Sequence, residues 1–417
     1  MKKIFTTIAA ATFTLVLYAQ NPIIDTVAYG PGYQNEFYYS LPNGQVGSQP
    51  LNSWDLGFTT DLMDATIIAN NTRGYVYKVP NTDSSGWNLL DTTGYHSWNL
   101  LWNSQTNWHT GAFNSTANTG NPFDFGWGIY NMTTHMVVGD SLYVLSNPSG
   151  TVVKKLWIKT KLQTNHVIYR IANIDGTGDA TIDVDCNAST KNFVYVDLSN
   201  NSQLDFEPAT NTWDILFTRY ITFIPQPYMV AGVFSNKHTK NAQADLQDFA
   251  TVVYANYSSA MDTIINTIGY DWKTFNQGNG SWTVNDSTIY FVQSNNGDIW
   301  KMHFLSFGGG STGQVILEKQ LVQGAGINPS NESNLTSFVY PNPAVGNINF
   351  YCSLKNNGNI SATLFDLSGK EIYTTSFSGT EGLKSYSMNA TDMSNGIYLL
   401  HLSNGQYSSN LKVIISK

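Results

Sequence analysis

Apolar and polar residues alternate along most of this chain with a period of two, the pattern of strands with one face buried. Trp213, Ile215 and Phe217 stand against Asp214 and Thr218, and near the C-terminus Leu411, Val413 and Ile415 repeat the rhythm. Asn43-Gly44, Asn296-Gly297, Ser368-Gly369 and Asn404-Gly405 punctuate these runs with residues that accept positive φ, as two-residue hairpins require. Ala242 to Tyr254 is the one stretch that fits a short helix. The pattern predicts an all-β protein.

The strand pattern is itself repeated. Phe37-Tyr38-Tyr39 leads to Trp54-Asp55-Leu56-Gly57-Phe58-Thr59, and Phe193-Val194-Tyr195 leads to Trp213-Asp214-Ile215-Leu216-Phe217-Thr218. Asp140-Ser141-Leu142-Tyr143, Gly150 and Lys155-Leu156-Trp157-Ile158 then parallel Asp286-Ser287-Thr288-Ile289-Tyr290, Gly297 and Lys301-Met302-His303-Phe304. Trp127 with Asn131 and Trp272 with Asn276 fall between in matching order. These matches predict two homologous antiparallel domains, 20–185 and 186–325, followed by a Gly/Asn/Ser-rich linker at 326–334 and a small C-terminal β-sandwich at 335–417.

Lys2 and Lys3, the apolar run Ile4 to Tyr18, Ala19 and then a polar segment read as a secretory signal peptide over 1–19, with Leu17 at the −3 position. No later segment is long enough to span a bilayer as an apolar helix. The first cysteine is Cys186, so no cysteine follows the expected cleavage site to take a lipid anchor. Cys186 and Cys352 fall in different expected domains and read as two buried thiols rather than a disulfide. A net charge of −8 with only 21 Lys plus Arg, none in a basic run, argues against a nucleic-acid partner.

Three C-terminal elements occur in order: Val339-Tyr340-Pro341-Asn342-Pro343, then Ala362 to Ile372 around Asp366-Leu367-Ser368-Gly369, then Asn395-Gly396-Ile397-Tyr398 closing on Lys412-Val413. Together they resemble the type A sorting domain of type IX secretion cargo, with Tyr340, Pro341, Asn342, Pro343, Asp366, Gly369, Gly396, Tyr398 and Lys412 as the motif residues. The resemblance implies export through the periplasm, recognition by the type IX translocon and sorting machinery, and a product secreted or held at the outer surface of a Bacteroidetes-type bacterium.

The repeated aromatic strand and Trp-Asp strand, followed by Ile67-Ile68, Asn70-Asn71 and Gly74, resemble the HmuY family of surface haem-binding proteins. That resemblance implies two tandem HmuY-like domains and a non-catalytic binding protein with haem as its ligand, its iron held between histidine or methionine side chains. His96, His109, His135 and His238 are the residues able to serve. The first three share a segment with Trp87, Trp98, Trp102, Trp108 and Trp127, which suggests a planar pocket. His166, His303 and His401 sit in strand-like runs and read as packing residues.

The same tryptophans carry two other readings. In a β domain tryptophans serve as core, whereas exposed rings beside Asn, Asp and Gln stack on sugars, so a polysaccharide adhesin is the alternative, with a structural surface protein behind it. Zinc-protease, nucleophile-elbow and phosphate-loop motifs are absent, and no carboxylate pair announces a glycosidase, so no enzyme is expected. Asp175-Gly176-Thr177-Gly178-Asp179 has the oxygen density of a calcium loop but not its spacing, and reads as a turn between strands.

Overall fold

The computed structural model describes residues 21–188, 190–324, 335–339, 342–354, 358–379, 382–404 and 408–417. The expected signal peptide (1–19), the expected linker (326–334) and the motif residues Tyr340 and Pro341 lie outside these. The described residues are predominantly β, and the chain divides into two compact units, Met1–Gln323 and Gly324–Lys417.

The first unit opens with β1 (Ile23–Ala28), β2 (Asn35–Ser40), β3 (Gly44–Pro50), β4 (Leu56–Thr59), β5 (Ile67–Ala69) and β6 (Tyr75–Lys78). It continues through β7 (Asn99–Leu101), β8 (Ile129–Asn131), β9 (Met136–Val138), β10 (Leu142–Ser146), β11 (Val152–Lys161) and β12 (His166–Ala172). The second half of this unit holds β13 (Ala180–Asp185), β14 (Phe193–Asp197), β15 (Ser202–Leu204), β16 (Ile215–Phe223), β17 (Pro227–Ser235) and β18 (Lys240–Ala244). It ends with β19 (Lys273–Asn276), β20 (Ser281–Val284), β21 (Ile289–Gln293), β22 (Ile299–Phe307) and β23 (Gln314–Gln323).

Strand pairing follows the repeat but crosses between its copies. β2 pairs with β16, placing Tyr39 opposite Ile215 and Phe37 opposite Phe217, while β14 pairs with β4, placing Val194 opposite Phe58. β1 lies antiparallel to β23, just as β13 lies antiparallel to β12. Each half therefore holds the opening strands of the other. The cores divide accordingly: one draws on Leu56 through Leu198, the other on Val27 to Leu41 together with Ile215 to Leu317.

The boundary expected between 185 and 186 is thus not where the cores part. It falls between β13 and β14, which both belong to a lobe of residues 51–208, and the second lobe is completed by the N-terminal strands. Local alternation specifies a strand and its buried face but not its partner. Two copies of one pattern offer the Phe-Tyr-Tyr strand two equivalent neighbours. The pairing adopted stacks Phe37 on Phe217 at 4.5 Å between ring centroids, each ring fully buried, a burial that contributes roughly 1.5–3 kcal/mol per side chain.

The helix expected over Ala242 to Tyr254 is not formed. Ala242 and Ala244 alternate inward at 2% and 0% exposure on β18, which pairs with β21. Asn131 and Asn276 end matching hairpin strands, and each side chain accepts a backbone N–H two residues on, from Thr133 and Gly278, at 2.9 Å. The expected turns at Asn43-Gly44, Asn296-Gly297 and Ser368-Gly369 carry φ of 80°, 89° and 83° at their glycines.

The second unit contains β24 (Leu335–Val339), β25 (Asn347–Leu354), β26 (Gly358–Phe365), β27 (Glu371–Gly379), β28 (Gly382–Asn389), β29 (Gly396–Ser403) and β30 (Ser408–Ile415). These form a three-stranded sheet, β24-β25-β28, and a four-stranded sheet, β27-β26-β29-β30. Ile360, Ala362 and Leu364 alternate inward with Leu400, Leu402 and Val413 to build its core. The motif residues brace this frame. Asn342 donates to the Lys412 carbonyl at 2.8 Å and accepts from the Ile414 N–H at 2.8 Å. Asp366 accepts from the Ser368 and Lys370 N–H groups across the turn at Gly369, and Tyr398 donates to the Ser394 carbonyl at 2.9 Å. Cys186 and Cys352 are buried free thiols, one in each unit.

Candidate functional site

Between β4 and β5 the chain makes a turn at Asp61-Leu62-Met63-Asp64. Asp61 accepts the Met63 N–H at 2.9 Å, and Asp64 accepts the Thr66 N–H at 3.1 Å and its hydroxyl at 2.8 Å, so one oxygen of each carboxylate shapes the turn. Lys161 on β11 holds it from beneath: its ammonium, buried and held below the usual lysine range by that burial, donates to the carbonyls of Asp61 and Asp64. The two apolar residues at the tip are left in solvent, Leu62 at 55% and Met63 at 85% exposure.

An open depression of about 290 Å³ lies beside this turn, lined by Leu62, Met63, Asp64, Ala65, Phe125, Tyr130, His135, Val137, Lys161, Leu162 and Gln163. Phe123, exposed, stacks on Tyr130 at the edge of this depression, while Ile129 and Val138 pair on the other face of the β8–β9 hairpin. Exposed apolar side chains gathered in this way mark an interaction site more often than scattered ones do. His135 sits in the hairpin turn with φ of 55°, its Nδ1 2.8 Å from the Tyr130 hydroxyl. That bond fixes the ring and leaves Nε2 unspent.

Of the four histidines expected at a haem site, only His135 lines this depression, and His109 reaches its rim through Asp64. His109 is exposed and places Nδ1 3.0 Å from Asp64 Oδ2. His238 is exposed next to Lys237, whose ammonium lies 3.6 Å from Asp61. His96 stands elsewhere, on the short 3-10 turn Tyr95–Ser97 and against the Tyr95 ring. His303 is buried with both ring nitrogens partnered, by the Asp286 carbonyl and Glu318, and His166 and His401 bond Asp183 and Asn410.

The tryptophans do not form one planar pocket. Trp127 is core, Trp87 lies beneath the Lys155 and Arg170 cations, and Trp98 packs at the edge of a separate apolar cluster. Trp102 meets Tyr75 and Phe223, and Trp108 crosses to the second lobe, where its indole donates to the Ser235 carbonyl at 2.8 Å. The Asp175–Asp179 stretch is the turn between β12 and β13, and Arg170 engages the Asp179 carboxylate.

A second feature escaped the sequence reading. Where the lobes meet, a cleft of about 70 Å³ is lined by Glu36, Tyr38, Trp54, Asn70, Asn71, Trp108, Tyr195, Thr218 and Tyr220 among others. Glu36 is 3% exposed and accepts from the Gln49 amide, from Trp54 Nε1 at 2.9 Å and from the Thr218 hydroxyl at 2.7 Å. Burial raises its pKa against those three bonds. Glu207, also buried, accepts the Asn192 and Phe193 N–H groups at 3.1 and 3.0 Å, and burial pushes it up to about 8. The signal was present in the repeat: Glu36 stands where the second copy has Asn192, and Gln49-Pro50 stands where it has Glu207-Pro208.

Among the described residues no group of three or more His, Cys, Asp or Glu could hold a metal ion, and no helix is long and apolar enough to cross a membrane. No curated protein matches the chain significantly. Among solved structures, dimeric latent PorU from Porphyromonas gingivalis is similar at 12% identity and a TM-score of 0.17, over 68% of this chain and 32% of that one. The chain thus spans about a third of that protein, and a likeness at this level says nothing of function. Residues 338–416 match the model of the secretion system C-terminal sorting domain, and the protein is accordingly an exported one, secreted or placed at the outer cell surface.

Proposed function

We propose that the first unit is a non-catalytic ligand-binding module, carried outside the cell by its sorting domain, and that its ligand is haem taken at the depression beside the 61–64 turn. The observation that carries this reading is the joining of an exposed apolar basin with an oriented imidazole, His135, and a solvent-facing thioether, Met63. A flat apolar macrocycle gains from covering such surface at roughly 25 cal/mol per Å². Histidine and methionine are both axial ligands for haem iron. The resemblance read in the repeated aromatic and Trp-Asp strands suggests the same ligand. The test is a titration of the mature protein with haemin: a saturable Soret shift at one equivalent is expected, and a flat difference spectrum would remove haem from the account.

A second reading, adhesion to polysaccharide, has its own observation. The β16–β17 hairpin carries Phe223, Ile224 and Tyr228 exposed at 51%, 52% and 62%, with Trp102 edge-on to Phe223. Aromatic rings on a protruding tip offer faces for sugar stacking. Retention on insoluble polysaccharide that is lost in Phe223→Ala/Tyr228→Ala would favour it over haem capture.

A further inference from the structure

Glu36 has no counter-ion. Its three donors, Gln49, Trp54 and Thr218, are all neutral, and no ion pair involving it occurs among the described residues. The other acid of the repeat framework that carries no charge in its partner copy's place is Glu207, which faces two backbone N–H groups instead. A carboxylate offers about four acceptor sites, so Glu36 retains one after these three bonds.

The surroundings of that remaining site are specific. Trp54, Tyr38, Trp108 and Tyr195 line the same cleft together with Arg219, and aromatic side chains attract cations through their ring quadrupoles. Asn71, 8% exposed and also lining the cleft, has an Nδ2 with no hydrogen-bond partner among the described residues. A buried donor left unpaired costs about 1–3 kcal/mol, so it calls for an acceptor. The cleft's 70 Å³ leaves room for a short polar group. In the second copy of the repeat the position of Glu36 is held by Asn192, whose side chain is taken up by Asn236 and Thr210, and the buried acid of that copy, Glu207, is spent on two backbone N–H groups.

We propose that the cleft between the lobes is a second ligand site, independent of the haem reading, that takes a primary ammonium group with a hydroxyl on the neighbouring carbon. The ammonium meets Glu36 and the aromatic rings, and the hydroxyl oxygen accepts from Asn71. This chemistry belongs both to simple amino alcohols and to amino sugars. Calorimetric titration of the mature full-length protein with ethanolamine and with glucosamine distinguishes them, using ethylene glycol and glucose as neutral counterparts.

Saturable heat with at least one amine is expected, at least tenfold weaker in Glu36→Gln and in Asn71→Ala and undetectable with the neutral compounds. The tighter of the two amines identifies the source. Asn71→Ala removes only an unpaired donor and so keeps the test valid if Glu36→Gln fails to fold. No saturable binding of either amine, equal binding of the neutral compounds, or unchanged binding in Asn71→Ala would overturn the proposal. Haemin spectra of the same variants are expected to match the parent, which separates this site from the 61–64 depression.

Discussion

The two lobes of the first unit are built from the same parts and differ in where they carry charge and exposed apolar surface. Asp55 and Asp214 each accept one N–H of the exchanged hairpin, from Leu198 at 2.6 Å and from Leu41 at 2.7 Å. Asn70 and Asn236 each donate to two carbonyls, one of them that of the lobe's own framework tryptophan, Trp54 or Trp213. The buried ammonium groups of Lys155 and Lys301 lie over the rings of Trp87 and Phe249. Against this shared frame, Trp54 donates to Glu36 while the Trp213 indole N–H has no partner among the described residues. The 61–64 turn also has no counterpart, because β16 runs on into the long hairpin with β17 where β4 stops at Thr59. What is duplicated holds the fold, and the candidate sites draw their distinct character from residues that are not, the 61–64 turn at one and Glu36 at the other.

The comparison breaks most completely if the lobes are cut apart. A fragment of residues 51–208 contains all its core strands and is expected to show cooperative unfolding. A fragment of 209–323 lacks β1–β3 and is expected to show none until residues 21–50 are joined to its C-terminus by a flexible linker. Near-ultraviolet circular dichroism of the three fragments checks this, and cooperative folding of 209–323 alone would refute the exchange.

The next effect is pH-dependent. Burial raises Glu207 from its ordinary value to about 8, so the folded state binds the extra proton and its contribution is full below the unfolded pKa and lost as pH rises through 8. Lys273, pushed down to about 7 by burial, works in the opposite sense, adding stability from pH 7 upward as the unfolded state alone stays protonated. Glu207→Gln is therefore expected to remove a decline on the order of 4 kcal/mol between pH 5 and pH 8, read from urea midpoints.

Trp108→Ala should cost about 3 kcal/mol, since this residue packs on Phe193 and Phe234 and ties the lobes through Ser235. Arg73→Ala should cost less, about 1–2 kcal/mol, by leaving Asp55 without the guanidinium 3.1 Å away. Asn295→Ala keeps the backbone N–H that serves Asp214 at 2.9 Å and loses only neutral side-chain bonds to the Thr210 and Trp213 carbonyls, so it should cost less still. Thermal melts rank the three.

The strands, the two-copy pattern and the sorting domain were legible because alternation, turn glycines and ordered motifs are local. The exchange of hairpins was not, since Phe37-Tyr38-Tyr39 fits beside either Trp-Asp strand and only long-range packing selects Trp213-Asp214. Ala242 to Tyr254 misled because alanine suits helices, whereas two inward alanines also suit a crowded strand position. His135 was visible as a residue type, but the basin around it depends on Lys161, more than twenty residues away in sequence, reaching up to the turn. Glu36 was hidden because an isolated glutamate before an aromatic strand gives no sign that its side chain is buried.

The central functional claim rests on His135. The most direct measurement is the haemin difference spectrum of His135→Ala beside that of His96→Ala, both in the mature protein. Loss of the Soret shift in the first with full retention in the second is the expected result. A shift that survives His135→Ala unchanged, or that disappears with His96→Ala instead, would contradict it.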